Sequence, residues 1–475
     1  SSVNDYTFAS GWNEFNRISA HHDFSISRTK LRILNAALSK KIVLRVPSGS
    51  KWSVESCPEW ITVNPESGTG KTEVTITVNE MAPNEAETVT YQKMNSSGYY
   101  ENVSFKGRRD EVVFLLEDKD YRSRTIVEQY DYSPSGTVIG DGYVITDQTA
   151  SAGNIGVNLV FMGDGFDAKD ISEGKYITAA NEAIEHFFGL PPYEQYRDYF
   201  NVYTIIGLSP DSGIGTQSTV KEACFGSQYG LQGSGKIEPN FSTCFEYACK
   251  APTVNEGNIN KTLIVLLENS TVSDGICYMY ADGSAIALCP MSNEAYPFDF
   301  RGIVQHEAGG HGFGKLADEY IYSADFIQTC TCSQDHVDEF NEMKSRGWYE
   351  NLSLSANIYD VPWSHFIFDS KYSNVVDIYE GGFFHSRGVF RSESNSCMNN
   401  NIPYYSAISR EAIVKRIMEY AGEEYSFEAF KQKDVISAQS AAASADVKSG
   451  PSSLSYPTHL QHGPIYMGER PEFSR

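Results

Sequence analysis

The chain has no window approaching the roughly 18 consecutive apolar residues that a membrane span needs, which removes an integral helical membrane protein from consideration. It is poor in positive charge. Lys and Arg number 38 against 61 Asp and Glu, and the net charge of −23 argues against nucleic acid or an anionic membrane surface as partner. It lacks a starting Met and a signal-peptide apolar core, so a chain beginning at Ser1 reads as a mature or trimmed product. Cysteine is sparse. Its nine residues include eight beyond position 220, enough for up to four bridges in an oxidising compartment, but the count is odd and Cys330 and Cys332 are too close to bridge easily. Aromatic residues are plentiful, with 30 Tyr and 26 Phe among 475 residues. A chain this rich in them and this long buries a large core in two or three domains.

Residues from about 40 to 130 read as short strands: Lys41–Val46, Lys51–Glu55, Trp60–Asn64, Thr72–Asn79, Glu87–Gln92, Glu111–Glu117 and Ser123–Gln129. Val74, Ile76 and Val78 occupy every second position of one run, as in a strand with one face buried. Turn residues such as Pro65 to Gly70 separate the runs, and about seven strands at this spacing predict a β-sandwich over residues 1–131. A Gly/Ser/Pro stretch, Ser133–Gly142, marks a linker set at 132–154. Beyond it the pattern becomes α/β. Asn158–Phe161, Phe200–Leu208 and Thr262–Glu268 suit buried strands, and Ser284–Cys289 suits either an edge strand able to pair with an extended substrate or a plain core strand. Tyr176, Ile177, Ala180, Ile184, Phe187 and Phe188 recur at helical spacing before Gly189 and Pro191-Pro192 end the helix. The expected domain runs over 155–425, followed by a tail at 426–475 with little periodicity, extended or disordered.

One segment concentrates chemistry: Gln305-His306-Glu307-Ala308-Gly309-Gly310-His311, continuing to Asp318-Glu319-Tyr320. A hydrolytic zinc site needs neutral imidazoles, an open coordination position and a carboxylate that takes a proton from water, and all are here. The spacing is unusual. His306 and His311 are five residues apart, which leaves them about 140° apart on a regular α-helix. A π-type widening of one turn, made cheap by Gly309-Gly310, restores their alignment with Glu307 as general base. The alternative pairs Glu307 with His311 as ligands and forfeits that base. The first is preferred because it leaves a complete catalytic set.

This segment resembles the IgA-peptidase family of zinc metallopeptidases, whose H-E-x-G-H motif is followed by L-x-D-E-Y. Here Leu316, Asp318, Glu319 and Tyr320 match, with one residue more between the histidines. Dipeptidyl peptidase III carries a similar expansion, H-E-x-x-x-H, and still binds zinc. The resemblance implies a metzincin-like α/β domain with one zinc ion held by His306, His311 and Asp318, or Glu319 in place of Asp318, and Glu307 as general base. It extends through Met162 to Phe166, Tyr379 to Gly382 and Arg391 to Met398, covering about residues 155–420. Met398 then maps onto the methionine turn of metzincins. Tyr404, Tyr405 and His385 are implied as substrate or transition-state contacts.

The front region, with Trp52, Trp60-Ile61-Thr62-Val63, Pro65 and Gly68 to Gly70, resembles the BACON domain, an Ig-like sandwich associated with carbohydrate binding. That resemblance implies an exported, often lipid-anchored protein and glycans as partners, with a spacer role as the alternative. Trp52 and Trp60 are expected in the core. The combined reading is a monomeric zinc endopeptidase acting on extracellular proteins; the rival is an inactive glycan- or host-protein-binding surface protein.

Overall fold

The computed structural model describes residues 24–95, 97–133, 136–151, 156–230, 236–272, 275–321, 332–436 and 463–473. The chain divides into two compact units, one of Ser1–Tyr143 with Phe166–Lys175 and the other of Val144–Gly165 with Tyr176–Arg475.

The front unit is made of strands. A four-stranded sheet holds Ser25–Ile26, Leu38–Arg45, Thr72–Val78 and Ile61–Asn64 in that spatial order. A second sheet is built on the 17-residue strand Tyr100–Leu116, which pairs with Tyr121–Tyr130, Lys51–Ser56 and Glu87–Met94. Alternation decides what is buried. Ile42 and Leu44 join Val74, Ile76, Val78, Val112 and Phe114 in one apolar core, while the intervening side chains face outward. Trp52 is fully buried at its centre, and Trp60 packs at its margin beneath the Arg108 guanidinium, 4.4 Å from the ring centroid.

The rear unit is organised by a seven-stranded mixed sheet, ordered Val144–Gln148, Phe200–Ile205, Val157–Asp164, Thr262–Glu268, Ala285–Pro290, Ile276–Met279 and Ile465–Tyr466. Its central four strands are parallel and buried on both faces, which is why they read as unbroken apolar runs. The helix Lys175–Phe188 buries Tyr176, Ala180, Ala183, Ile184 and Phe187 along one stripe.

Three expectations need correction. Val144–Gln148, placed in the linker, pairs antiparallel with Phe200–Ile205 and belongs to this sheet. Of the two readings of Ser284–Cys289, the edge strand fails and the core strand stands: Ala285–Pro290 is interior, and all six residues are buried because strands flank it on both sides. Ile276–Met279 lies outside it instead. Finally, the tail set at 426–475, expected to be extended or disordered, contains the helix Phe427–Lys433 besides the two-residue strand Ile465–Tyr466. Cys330 lies outside the described residues, whereas Cys244, Cys277, Cys289 and Cys397 are buried thiols.

Candidate metal centre

The segment that carries the histidines begins as a short α-helix, Phe300–Ile303, capped by Asp299, whose carboxylate accepts from the Gly302 N–H at 3.0 Å. It then widens into a π-helix over Val304–Phe313, all ten residues of it buried. The sequence called for one expanded turn; the structure sustains the wide winding for the whole motif. In a π-helix each hydrogen-bonded turn spans five residues, so positions 306 and 311 fall on the same face. Their imidazole rings stand edge to face with centroids 4.7 Å apart.

The glycines make room for this winding rather than supplying unusual backbone angles. A β-carbon on Gly312 would sit 2.7 Å from Leu263 Cδ1, so the π-helix lies directly on the sheet. One on Gly310 would collide with the Met398 thioether, and one on Gly309 with the Tyr405 hydroxyl. Tyr405 donates that hydroxyl to the Gln305 carbonyl, and Tyr193 donates its own to the Gly309 carbonyl at 2.5 Å. These two bonds give carbonyls inside the widened helix a second partner from outside it.

His306 Nδ1 lies 3.0 Å from the Cys397 carbonyl oxygen and His311 Nδ1 lies 2.8 Å from that of Leu316. A carbonyl oxygen only accepts, so each Nδ1 carries the proton and each Nε2 is left with its lone pair. Both Nε2 atoms point at Asp318 Oδ1, at 3.0 Å from His306 and 3.3 Å from His311. The three ligand atoms lie within 4.8 Å of one another, and all three side chains are buried. Three electron-pair donors turned toward one point repel unless a cation or a proton stands among them. Histidine Nδ1–H groups anchored on carbonyls are also the usual outer support of metal-bound imidazoles.

The remaining polar atoms of the group point the same way. Among the described residues, His311 Nε2, Asp318 Oδ2 and both oxygens of Glu307 are buried without a hydrogen-bond partner. Burial pushes the Glu307 carboxyl up to about 8, with Asp318 adding to the shift and His306 opposing it. Burial also pushes Asp318 up, but His311 and His306 outweigh it and hold that carboxyl below its ordinary value. The donor set of two imidazoles and a carboxylate, with an unsatisfied second carboxylate beside it, fits a zinc ion with one coordination position left over.

The other anticipated residues have other partners. Glu319 faces away from the group and accepts from Ser396 Oγ at 2.5 Å and Asn351 Nδ2 at 3.0 Å. Met398 lies beneath Gly310, and its carbonyl accepts the Glu319 N–H at 2.8 Å. Tyr404 donates to Glu393 Oε2 at 2.6 Å, so neither Tyr404 nor Tyr405 directs its hydroxyl at the histidines. His385 is buried against His336, 2.6 Å between ring nitrogens. Sequence reasoning missed Tyr193 and the carbonyls of Leu316 and Cys397. Leu316 follows Lys315, whose φ of 53° turns the chain back toward His311, and the glycine-rich run before it was the available signal. It also missed Gly275, where a β-carbon would stand 2.7 Å from Glu307 Cγ.

Comparison with known proteins places this geometry. Residues 144–370 match the family model of the IgA Peptidase M64, and residues 23–105 match that of the Viral BACON domain. The matched span includes His306, Glu307, His311 and Asp318. Both families suggested by the motifs are met, in the expected order along the chain; Tyr379–Gly382 and Arg391–Met398 lie beyond the matched span. No curated protein matches. Among solved structures, a Bacteroides ovatus GH5 xyloglucanase in complex with a XXXG heptasaccharide aligns at 16% identity, over 28% of this chain and 26% of that one, with a TM-score of 0.17. A protein of unknown function from Porphyromonas gingivalis W83 aligns at 9% identity over 30% and 59% of the two chains, also at 0.17. The Vibrio cholerae VesB protease aligns at 11% over 25% and 35%, at 0.15. The chain spans about a quarter of the xyloglucanase it matches. Scores this low bear on neither fold nor activity here.

Proposed function

We propose that this chain, with an M64 peptidase domain behind a BACON-type domain, is a zinc-dependent endopeptidase of extracellular proteins. The observation that carries the reading is the convergence of His306 Nε2, His311 Nε2 and Asp318 Oδ1 beside a Glu307 carboxyl that has no hydrogen-bond partner among the described residues. His306, His311 and Asp318 hold the ion in this account. Zinc supplies Lewis acidity for the scissile carbonyl and acidifies water.

The protein's own groups do the rest. The Cys397 and Leu316 carbonyls hold both imidazoles in the tautomer that presents Nε2. Glu307 accepts a proton from the attacking water at its unpartnered oxygens and passes it to the departing amide nitrogen. A dication nearby favours its ionised form, opposing the burial that raises its pKa. Met398 and Gly310 form the packed floor that keeps the histidine helix in position, the part a methionine turn would play. Glu319 is a clamp on the Ser396–Met398 segment rather than a ligand.

The front unit is proposed as a spacer. Its buried Trp52 offers no ring to a sugar. Among the described residues no helix is long and apolar enough to cross a membrane, and export rests on the BACON likeness alone.

The test is hydrolysis of fluorescein-labelled casein by the zinc-loaded chain and by its Glu307→Ala form, with metal content measured on both. Hydrolysis by the parent alone, at equal zinc content, is expected. Equal rates would refute the assignment of Glu307.

A further inference from the structure

We propose that the C-terminal segment 463–473 is an inhibitory strand, docked on the sheet edge that a peptide substrate needs. This rests on the peptidase reading above and adds its regulation.

Ile465–Tyr466 pairs parallel with Ile276–Met279, Ile465 opposite Tyr278 and Tyr466 opposite Met279. The Met467 N–H donates to the Met279 carbonyl at 2.9 Å, and the Ala281 N–H donates to the Gly468 carbonyl at 2.7 Å. Ile276–Met279 would otherwise be the sheet's outer strand, with one row of backbone donors and acceptors unpaired. Such an edge is the ordinary docking place for an extended peptide.

This edge runs past the metal centre. Gly275, just before the strand, packs on Glu307. Carrying the pairing two residues back sets Gly463 level with Ile276. At that point a β-carbon on Gly463 would lie 3.1 Å from Asp318 Oδ2 and 2.5 Å from Phe384 Cζ. The tail backbone therefore crosses against a proposed ligand, at a place with room for glycine and little more.

The downstream half is anchored. Arg470 bonds Asp282 at 2.9 Å, with its guanidinium beside the stacked pair Phe245 and Phe473, 5.2 and 5.0 Å from their ring centroids. Tyr466 meets Trp348 edge to face at 6.2 Å, and Arg346 lies over its ring at 4.7 Å. A substrate strand and this segment compete for one edge, and tethering gives the segment an effective concentration on the order of millimolar.

Three zinc-loaded forms test this: the full chain, the full chain with Gly463→Phe, and a chain ending at Ile436, which keeps Asp434 on Arg410. With labelled casein, kcat/KM rises tenfold or more in both altered forms, mainly through KM. The synthetic peptide Gly463–Phe473 then inhibits the shortened chain competitively. Exchange of the Ala281 amide with deuterated solvent accelerates in parallel. Values of kcat/KM within twofold across the three forms would overturn the inhibitory strand and leave the peptidase reading standing. Should no form hydrolyse casein, the peptidase reading fails instead, and the tail is judged by zinc uptake into the metal-free forms. Tenfold faster uptake without the tail upholds its position over the centre, and equal rates reject it.

Discussion

Two buried glutamates, one in each unit, show opposite ways of handling a carboxylate out of water. Glu128, on a front-unit strand, has every demand met: Lys30 and Arg109 reach Oε1 at 3.2 Å each, and Oε2 accepts from Arg32 at 3.4 Å and Tyr130 at 2.9 Å. Burial alone would raise its pKa, but Lys30, Tyr130 and Arg32 together hold it below the ordinary value. Glu307 is also closed to solvent, has neither a lysine or arginine partner nor a hydrogen-bond donor among the described residues, and its pKa goes up to about 8. Burial does not decide a carboxylate's role. What decides it is whether the fold itself supplies the counter-charge. A structural carboxylate is complete within the chain, whereas Glu307 waits on something from outside.

The contrast breaks most visibly at Glu307. Glu307→Gln lowers kcat/KM by about 10² to 10⁴, the usual worth of a general base, while the melting temperature holds or rises because an unsatisfied buried carboxyl is gone. Next in size is the missing counter-charge itself. Zinc at a thousand times its dissociation constant stabilises the rear unit by about 4 kcal/mol, seen in urea unfolding with and without chelator. His311→Ala abolishes that gain. Glu128→Gln, which leaves Lys30, Arg32 and Arg109 facing one another, costs about 2 to 3 kcal/mol, scaled down because these cations are partly exposed. It leaves casein hydrolysis within twofold, and a comparable loss of activity would erase the distinction.

The smallest effect is in the pH dependence, and its sign differs between the units. The depressed pKa of Glu128 gives stability that is present above the ordinary carboxylate pKa and is lost as pH falls through the folded value. Glu393 in the rear unit is raised to about 7, chiefly by burial. It holds its proton in the fold after the unfolded chain has lost it. Stability therefore falls as pH rises from about 4.5 to about 7, by at most something on the order of 3 kcal/mol. Urea midpoints at pH 5, 6 and 7.5 read this slope, and Glu393→Gln makes it shallower, leaving the part that Glu307 contributes.

Much of this was legible in the residues. Alternation at Val74, Ile76 and Val78 marked a front strand, and the unbroken apolar run Thr262–Glu268 marked a buried parallel one. The five-residue interval between His306 and His311 announced a departure from α-helical winding. Its extent was not readable, because the space for ten residues of π-helix is left by Tyr405 and Met398, about a hundred positions away. Edge and core readings of Ser284–Cys289 stayed level because it and Ile276–Met279 are both short and apolar, and only pairing distinguishes them. The strand at Ile465–Tyr466 has two residues and no period to detect. It exists because a neighbouring edge offers hydrogen bonds. Hydroxyls of Tyr404 and Tyr405 were expected at the centre, but buried carbonyl and carboxylate acceptors nearer to hand claim them.

The central claim is that the His306, His311 and Asp318 donors are built for one metal ion. Zinc stoichiometry by mass spectrometry after equilibrium dialysis, on the parent and on His311→Ala, tests it most directly. The account predicts one zinc per parent chain, bound through two imidazole nitrogens in X-ray absorption, and none in the variant. A parent that retains no zinc, or a His311→Ala chain that binds it equally, would contradict it.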